Sequence, residues 1–322
     1  MPTISVVIPT YQAGRYLPKL LAQLKTQDMP AEVVIIDSSS TDETVKLARQ
    51  AGCIVEVISK ASFRHGATRN RGAELATGEI LVFMTQDALP VNEHFLRELT
   101  APLNAGQAAA AFARQLPYPD APLPEVFTRG FNYPSQSQRR TRSDIAQLGI
   151  KAFFFSDVSS SVLRSAFEQV GTFPAHVIMN EDMLLCAKLL KAGHAVCYCA
   201  DAQVYHSHSY SLWQQFRRYF DIGVFMAQAS ESLAGARAGG EGFRYVREQS
   251  RYLAAKNAWF QVVRSLCEAG VKLTAFELGK RERYLPLELK RRLSMNSSYW
   301  LPQTETAAPA TSQPTLAPHD SE

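Results

Sequence analysis

Three short apolar runs each stop abruptly at a polar tip. The sharpest is Ile80–Ala88, ILVFMTQDA, where five apolar residues end at Thr85-Gln86-Asp87. Ile4-Ser5-Val6-Val7-Ile8-Pro9-Thr10 and Val33-Val34-Ile35-Ile36-Asp37 end in the same way. Strands that are apolar throughout are buried on both faces, as in a parallel sheet covered by helices. Ligands of such sheets bind beyond the carboxyl ends of the strands. The tips therefore predict a charged site along one sheet edge, suited to an activated, phosphate-bearing substrate.

The runs sit in a regular alternation. Strand 4–9 leads into a helix at 13–26, with Leu17, Leu20, Leu21 and Leu24 on one stripe. Strand 32–37 is followed by Ser38-Ser39-Ser40-Thr41, hydroxyls fit to cap a helix at 42–51. Gly52 ends that helix, and 54–58 reads as a third strand. A helix at 66–77 closes on Gly78, strand 79–84 follows, and a helix at 92–104 begins after Pro90. This alternation predicts a right-handed, Rossmann-like α/β sheet, mostly parallel and flanked by helices. After a strand at 108–114 the pattern breaks. Residues 117–150, rich in Pro, Ser, Gln and Arg, predict an irregular excursion that forms a flap over the site. Lys151–Asp157 then resumes a strand, Asn180 caps a helix running to 192, and 195–205 is a last strand. No internal repeat is present. Residues 1–210 form the expected ligand-binding and catalytic domain, 211–300 a helical C-terminal region, and 301–322 a Pro/Thr/Ala/Ser-rich disordered tail.

The net charge of +4 is too mild to imply nucleic acid, and the basic residues lack interleaved aromatics over a broad face. One segment is more uneven. Lys280–Arg292 holds six basic and two acidic residues among Tyr284, Leu285, Leu287 and Leu289. It suits an anionic membrane surface, the plainer reading being a solvated helix face. No apolar run approaches the roughly 20 residues that span a bilayer, and no signal peptide is visible. A cytoplasmic chain, peripheral on the inner face of the membrane, is the expectation. The five cysteines, an odd number, predict reduced thiols. Cys197-x-Cys199 with His206-x-His208 reads as zinc ligands or as strand residues sharing a core face, and the spacing favours the core.

Candidate site residues cluster at the tips. Asp37 can accept a pyrimidine N–H or bond a ribose hydroxyl, unless it caps a helix. Thr10 and Gln86 lie at tips beside it. Asp87 can hold Mg²⁺ or Mn²⁺, with a diphosphate and a histidine completing the shell. His206 and His208 share a face at the end of the last strand and are the candidate histidines, unless they are structural. Phe63–Gly72 packs cations and small residues at a helix start, a natural anion site. Arg69 and Asn70 are its candidates, with His65 behind them. Asn180-Glu181-Asp182 opens a helix, where acidic residues are stabilising in any case. The sharper reading makes Asp182 a general base beside a substrate-facing Glu181. Gln215 and Arg218, spaced i and i+3, can meet an acceptor or a phosphate.

Together these residues resemble family 2 glycosyltransferases with the GT-A fold. Val6-Val7-Ile8-Pro9-Thr10-Tyr11 matches the family's first strand, and Ile36-Asp37-Ser38-Ser39-Ser40-Thr41-Asp42 is similar to its Val-Asp-Asp-Gly-Ser-Thr-Asp element. Thr85-Gln86-Asp87 occupies the place of the Asp-x-Asp metal motif without its first Asp. Glu181-Asp182 looks like the Glu-Asp pair whose Asp is the base, and Gln215-x-x-Arg218-Tyr219 resembles Gln-x-x-Arg-Trp. Phe63-x-His65-Gly66-x-Thr68-Arg69-Asn70, with Thr-Gln-Asp-Ala and His-Ser-His, resembles the bacterial rhamnosyltransferase branch. The resemblance spans about residues 3–220. It implies an inverting, metal-dependent transferase with dTDP-β-L-rhamnose as donor and an α-L-rhamnoside as product. The implied acceptor is an O-antigen or other surface glycan on a polyprenyl diphosphate lipid at the inner membrane. In that picture Asp182 activates the acceptor hydroxyl, Asp87 holds the metal at the leaving diphosphate, and Asp37 reads the base.

Rival readings are a transferase for another nucleotide sugar, a nucleotidyltransferase and a non-catalytic glycan- or membrane-surface-binding module. A nucleotidyltransferase wants a Gly-rich basic signature near the start, where this chain offers Gly14 and Arg15. The missing first Asp of the metal motif favours the binding module.

Overall fold

A computed structural model describes residues 2–208, 210–234 and 240–301. In chain order the elements are β1 (Ile4–Thr10), α1 (Leu17–Lys25), β2 (Glu32–Asp37), α2 (Thr44–Gln50), β3 (Ile54–Val57), α3 (His65–Leu75) and β4 (Ile80–Met84). There follow β5 (Leu89–Pro90), α4 (Phe95–Asn104), β6 (Ala110–Leu116), α5 (Leu123–Asn132), β7 (Gln138–Arg140), α6 (Ile145–Leu148), β8 (Ser159–Leu163) and α7 (Arg164–Gln169). The chain continues with α8 (Glu181–Lys191), β9 (Val196–Tyr205), α9 (Leu212–Gln228), α10 (Glu241–Ala255), α11 (Trp259–Gly279) and α12 (Leu287–Leu293). The expected tail lies outside the described residues.

One sheet runs in the order β3-β2-β1-β4-β8-β6-β9-β5, with β7 beside β9. Its β3-β2-β1-β4 half is parallel, as are β6 and β9. Strand alternation divides the core between two faces. Val6, Ile8, Ile35, Val82 and Met84 pack with Leu17, Leu20, Phe95 and Leu99 on one face. Val7, Val34, Ile36, Leu81 and Phe83 pack with Phe167, Phe173, Leu185 and Phe220 on the other. Burial on both faces is why these strands read as unbroken apolar runs. Cys197 and Cys199 are buried in the first of these cores, which removes the zinc reading for them.

Three expectations are corrected. Lys151–Asp157 is not a strand: Gly149–Phe153 is a 3₁₀ turn, and the strand is β8, which runs antiparallel to β4 and β6. Its serines hid it. Ser159, Ser160 and Ser161 are all buried, with the hydroxyls of Ser160 and Ser161 donating to Asp157 Oδ1 and the Leu99 carbonyl. The 117–150 segment is not irregular, since it holds α5, β7 and α6. Phe127 and Phe131 of α5 meet Tyr245 of α10 edge to face, and buried Arg140 donates to the carbonyls of Lys151, Ala152 and Phe154. Asn180 does precede α8, but in the left-handed conformation and without a side-chain cap.

The C-terminal helices α9 and α11 meet in a close crossing. A Cβ at Gly223 of α9 would lie 2.2 Å from the Phe276 carbonyl oxygen, and one at Gly279 of α11 would lie 2.1 Å from that of Phe220. Only glycine allows this approach. Gly279→Ala is expected to destabilise the protein by about 1–3 kcal/mol through overpacking, read by urea unfolding. Unchanged stability would mean that the two helices separate freely.

Candidate active site

The polar tips meet along one edge. Thr10 pairs with Asp37 at the ends of β1 and β2, and Leu116 pairs with Tyr205 at the ends of β6 and β9. Antiparallel β8 brings its start to the same edge, because Ser159 pairs with Met84, the last residue of β4. Asp157, just before β8, therefore stands among carboxyl-terminal tips.

At the β1–β2 end, buried Asp37 accepts from Thr10 Oγ1 at 2.9 Å, from the Ser40 N–H at 2.7 Å and from Ser40 Oγ at 2.6 Å. Ser40 therefore serves Asp37 rather than capping α2. The buried Ser38 hydroxyl has no partner. Tyr11, half exposed, lies under Lys60, whose Nζ is 4.1 Å from the ring centroid. Gln86 clamps the Tyr11 main chain, accepting its N–H at 2.8 Å and donating to its carbonyl at 3.2 Å. It thereby ties the β1 tip to the β4 tip.

Beside Gln86, Asp87 faces two histidines. Asp87 Oδ1 is 3.6 Å from His206 Nε2, and Oδ2 is 3.3 Å from His208 Nε2. The donor atoms of all three lie within 4.8 Å of one another. Burial, and then the neighbouring His208, push buried His206 well below the usual histidine range, and burial also lowers His208. Gln115 at the end of β6 sets the His206 tautomer. Its Oε1 must be an acceptor because Arg129 donates to it, so His206 Nδ1–H donates to the same oxygen at 2.9 Å. His206 Nε2 then turns a lone pair toward the Asp87 carboxylate. Two acceptors facing one another fit a cation between them, and an imidazole braced through its other nitrogen is the usual posture of a metal ligand.

Gln115 also links this trio to the acids. Its Nε2 donates to Tyr133 Oη at 2.6 Å and to Ser156 Oγ at 2.9 Å. The next residue, Asp157, donates its N–H to Asp182 Oδ2 at 3.2 Å. The other Asp182 oxygen accepts from the Met183 N–H in the first turn of α8. Burial and the neighbouring Glu181 charge push the Asp182 carboxyl up to about 7. Burial raises buried Asp157 well above the usual range, against the pull of Arg69. Arg69 donates to Glu181 Oε1 at 2.7 Å and places its Nε 3.4 Å from Asp157 Oδ2, all three side chains being buried. Arg69 and Glu181 thus brace the acid cluster from behind. Asn70 is engaged with the protein as well, exchanging hydrogen bonds with the Phe173 main chain at 2.9 and 3.1 Å.

Helix α9 closes the edge. Gln215 donates weakly to the Tyr210 carbonyl at 3.4 Å and leaves its Oε1 without a partner. Arg218 sits 5.8 Å from the Tyr210 ring centroid, and its charge helps to hold down His206 and His208. His65 faces Asn296 at 3.4 Å, and burial lowers its pKa. Contacts therefore run without a break from Asp37 through Thr10, Tyr11, Gln86, Asp87, His206, Gln115 and Ser156 to Asp157 and Asp182.

The family model for Glycosyl transferase family 2 matches residues 5–171, more than half of the chain. This chain belongs to glycosyltransferase family 2. Among its relatives are the O-antigen chain rhamnosyltransferase WbaN of Salmonella anatum, 40% identical over 93% of this chain and 96% of that one. The O-antigen chain rhamnosyltransferase RfbN of Salmonella typhimurium is 41% identical over 92% and 96%. In fold the glycosyltransferase resembles S. aureus TarS 1-349, with a TM-score of 0.56 at 16% identity over 92% of this chain and 87% of that one. It also resembles the mannosyltransferase PcManGT from Pyrobaculum calidifontis in complex with GDP-Man and Mn²⁺, with a TM-score of 0.55 at 20% identity over 93% and 85%. These neighbours place the sheet in the GT-A fold.

Two residues of the candidate site escaped the sequence reading. Asp157 follows the apolar Phe153-Phe154-Phe155, the same signal that marked Asp37 and Asp87, and was read only as a strand end. Gln115 carried no signal, because its role depends on four partners distant in the chain. The return of the C-terminus was equally hidden. Buried Asp221 accepts from the N–H groups of Met295 and Asn296, and Arg64 donates to the Ser298 carbonyl.

Proposed function

We propose that this glycosyltransferase moves L-rhamnose from dTDP-β-L-rhamnose, with inversion, to a hydroxyl of a lipid-linked O-antigen chain at the cytoplasmic face of the inner membrane. The observation that carries the reading is the near-full-length likeness to two O-antigen chain rhamnosyltransferases. The edge chemistry fits it. Thr10, Asp37 and the unpartnered Ser38 hydroxyl form the polar floor for the nucleoside, with Tyr11 beside it. Asp87, His206 and His208 would hold a divalent cation, which would supply positive charge to the leaving diphosphate. Two neutral imidazoles beside one carboxylate suit Mn²⁺ better than Mg²⁺, which prefers oxygen donors. Asp182, half-buried and with a raised pKa, takes the proton of the acceptor hydroxyl as that oxygen attacks the anomeric carbon. Arg69 and Glu181 position it. Arg218 and Gln215 meet the diphosphate or the acceptor.

The test uses purified protein with dTDP-rhamnose, UDP-sugars and GDP-sugars in the presence of Mn²⁺. Slow release of dTDP from dTDP-rhamnose alone, accelerated by acceptor, is expected. Asp87→Ala is expected to weaken Mn²⁺-dependent donor binding at least about tenfold. Donor affinity indifferent to that substitution and to a chelator would remove the cation from Asp87, and release from another sugar nucleotide would replace the donor.

A further inference from the structure

Helix α11 presents an apolar face to solvent. Trp259 is 64% exposed, Phe260 80%, Val263 62% and Leu273 63%, with Leu266 half exposed between them. From 259 to 274 no charged residue falls on the line of 259, 263, 266, 270 and 273, and the exposed Arg264 to one side is paired with Glu268. Such a stripe runs for about 22 Å at 1.5 Å per residue. A soluble helix buries this kind of face, and nothing within the described residues covers it. The charge around it is predominantly positive. Residues 241–301 hold twelve Lys or Arg against six Glu, so this unit alone exceeds the net +4 of the whole chain. The helix ends at a cavity of about 520 Å³ lined by Gln228, Lys280, Arg281, Glu282, Arg283 and Tyr284. Its one acid, Glu282, is already paired with Lys290.

We infer that α11 is an interfacial helix that lies on an anionic lipid bilayer, its Trp259–Leu273 stripe in the acyl boundary and the Lys280-Arg281-Arg283 cavity on lipid phosphates. An apolar stripe, aromatics at its start and cations at its end are the elements of such a helix. The basic Lys280–Arg292 segment is then one end of a longer docking face that includes α11. A second copy of the chain is the less suited occupant. The stripe has a coiled-coil spacing at 259, 263, 266, 270 and 273, but Gly270 leaves a gap at its centre and two such cationic units repel. Among the described residues no helix is long and apolar enough to cross a membrane, so the contact is to the surface. The inference rests on the lipid-linked acceptor proposed above.

The experiment is co-sedimentation of the full chain with phosphatidylglycerol–phosphatidylcholine vesicles and with pure phosphatidylcholine vesicles. The parent is expected to bind the anionic vesicles, less so at high salt. Combined Trp259→Ser, Phe260→Ser and Leu273→Ser is expected to lower binding at least about tenfold, as is combined Lys280→Ser, Arg281→Ser and Arg283→Ser. All three proteins should keep one thermal unfolding transition and one monomeric mass. Equal sedimentation of parent and stripe variant overturns the inference. So does a dimeric parent that becomes monomeric in the stripe variant while neither binds vesicles. The vesicles contain no acceptor, so their binding is independent of the rhamnosyl-transfer reading, whose own failure appears as absent transfer to a water-soluble acceptor.

Discussion

Asp182→Asn cuts transfer by about 10²–10⁴-fold while leaving donor binding near the parent value. The amide keeps the shape and can still accept one of the Asp157 and Met183 N–H bonds through its oxygen, but it cannot take a proton. The parent's pH profile carries the same assignment. Since the Asp182 carboxyl titrates near 7, transfer rises as the pH climbs through that value, and the variant's residual rate lacks this step. Stability moves the opposite way. A carboxyl raised from 3.8 to about 7 in the folded protein contributes stability below its unfolded pKa, and that contribution is lost as the pH rises through about 7. Relative to the Asn variant, the parent therefore gains stability on acidification across that window. Parent-like transfer by the variant under saturating donor would dismiss Asp182 as the base.

Arg69→Met is expected to cost about 3–5 kcal/mol of folding stability at neutral to alkaline pH. The guanidinium is the cation that touches Glu181 and Asp157, and Asp182 is bonded to the same group of acids. Removing it leaves buried negative charge unmatched. The sign of the pH dependence follows. Arg69 lowers the pKa of both Asp157 and Asp182, so without it both rise further. Protonation then relieves the repulsion as the pH falls, and the deficit against the parent shrinks under mildly acidic conditions. Urea unfolding at several pH values measures it. A deficit that stays constant with pH would mean that Arg69 acts through packing and not through charge.

Much of the site was legible before any coordinates. Asp37, Asp87 and Asp182 announced themselves as carboxylates at the ends of apolar runs or in a first helical turn, because burial demands apolar residues right up to the point where solvent or ligand begins. His206 and His208 were legible from strand alternation. What pattern could not convey was engagement. Arg69 and Asn70 looked like anion ligands, yet one is spent on Glu181 and Asp157 and the other on the Phe173 main chain. A side chain's type states what it can bond, whereas its partners depend on residues far away in the chain, here 88 to 112 positions. Strand β8 was missed for a related reason. Ser160 and Ser161 are buried with Asp157 and the Leu99 carbonyl accepting their hydroxyls, and hydrophobicity carries no trace of that.

By itself the amino-acid order determined the parallel half of the sheet, the edge at which chemistry gathers and the residue types that gather there, since these follow from local periodicity and from the cost of burying polar groups. The tertiary structure alone decided which acid leans on which cation, how the antiparallel strand delivers Asp157 to the acid cluster, and that the outward face of α11 is left bare. Those are matters of distance between remote segments, and distance is set only when the two faces of the sheet are packed.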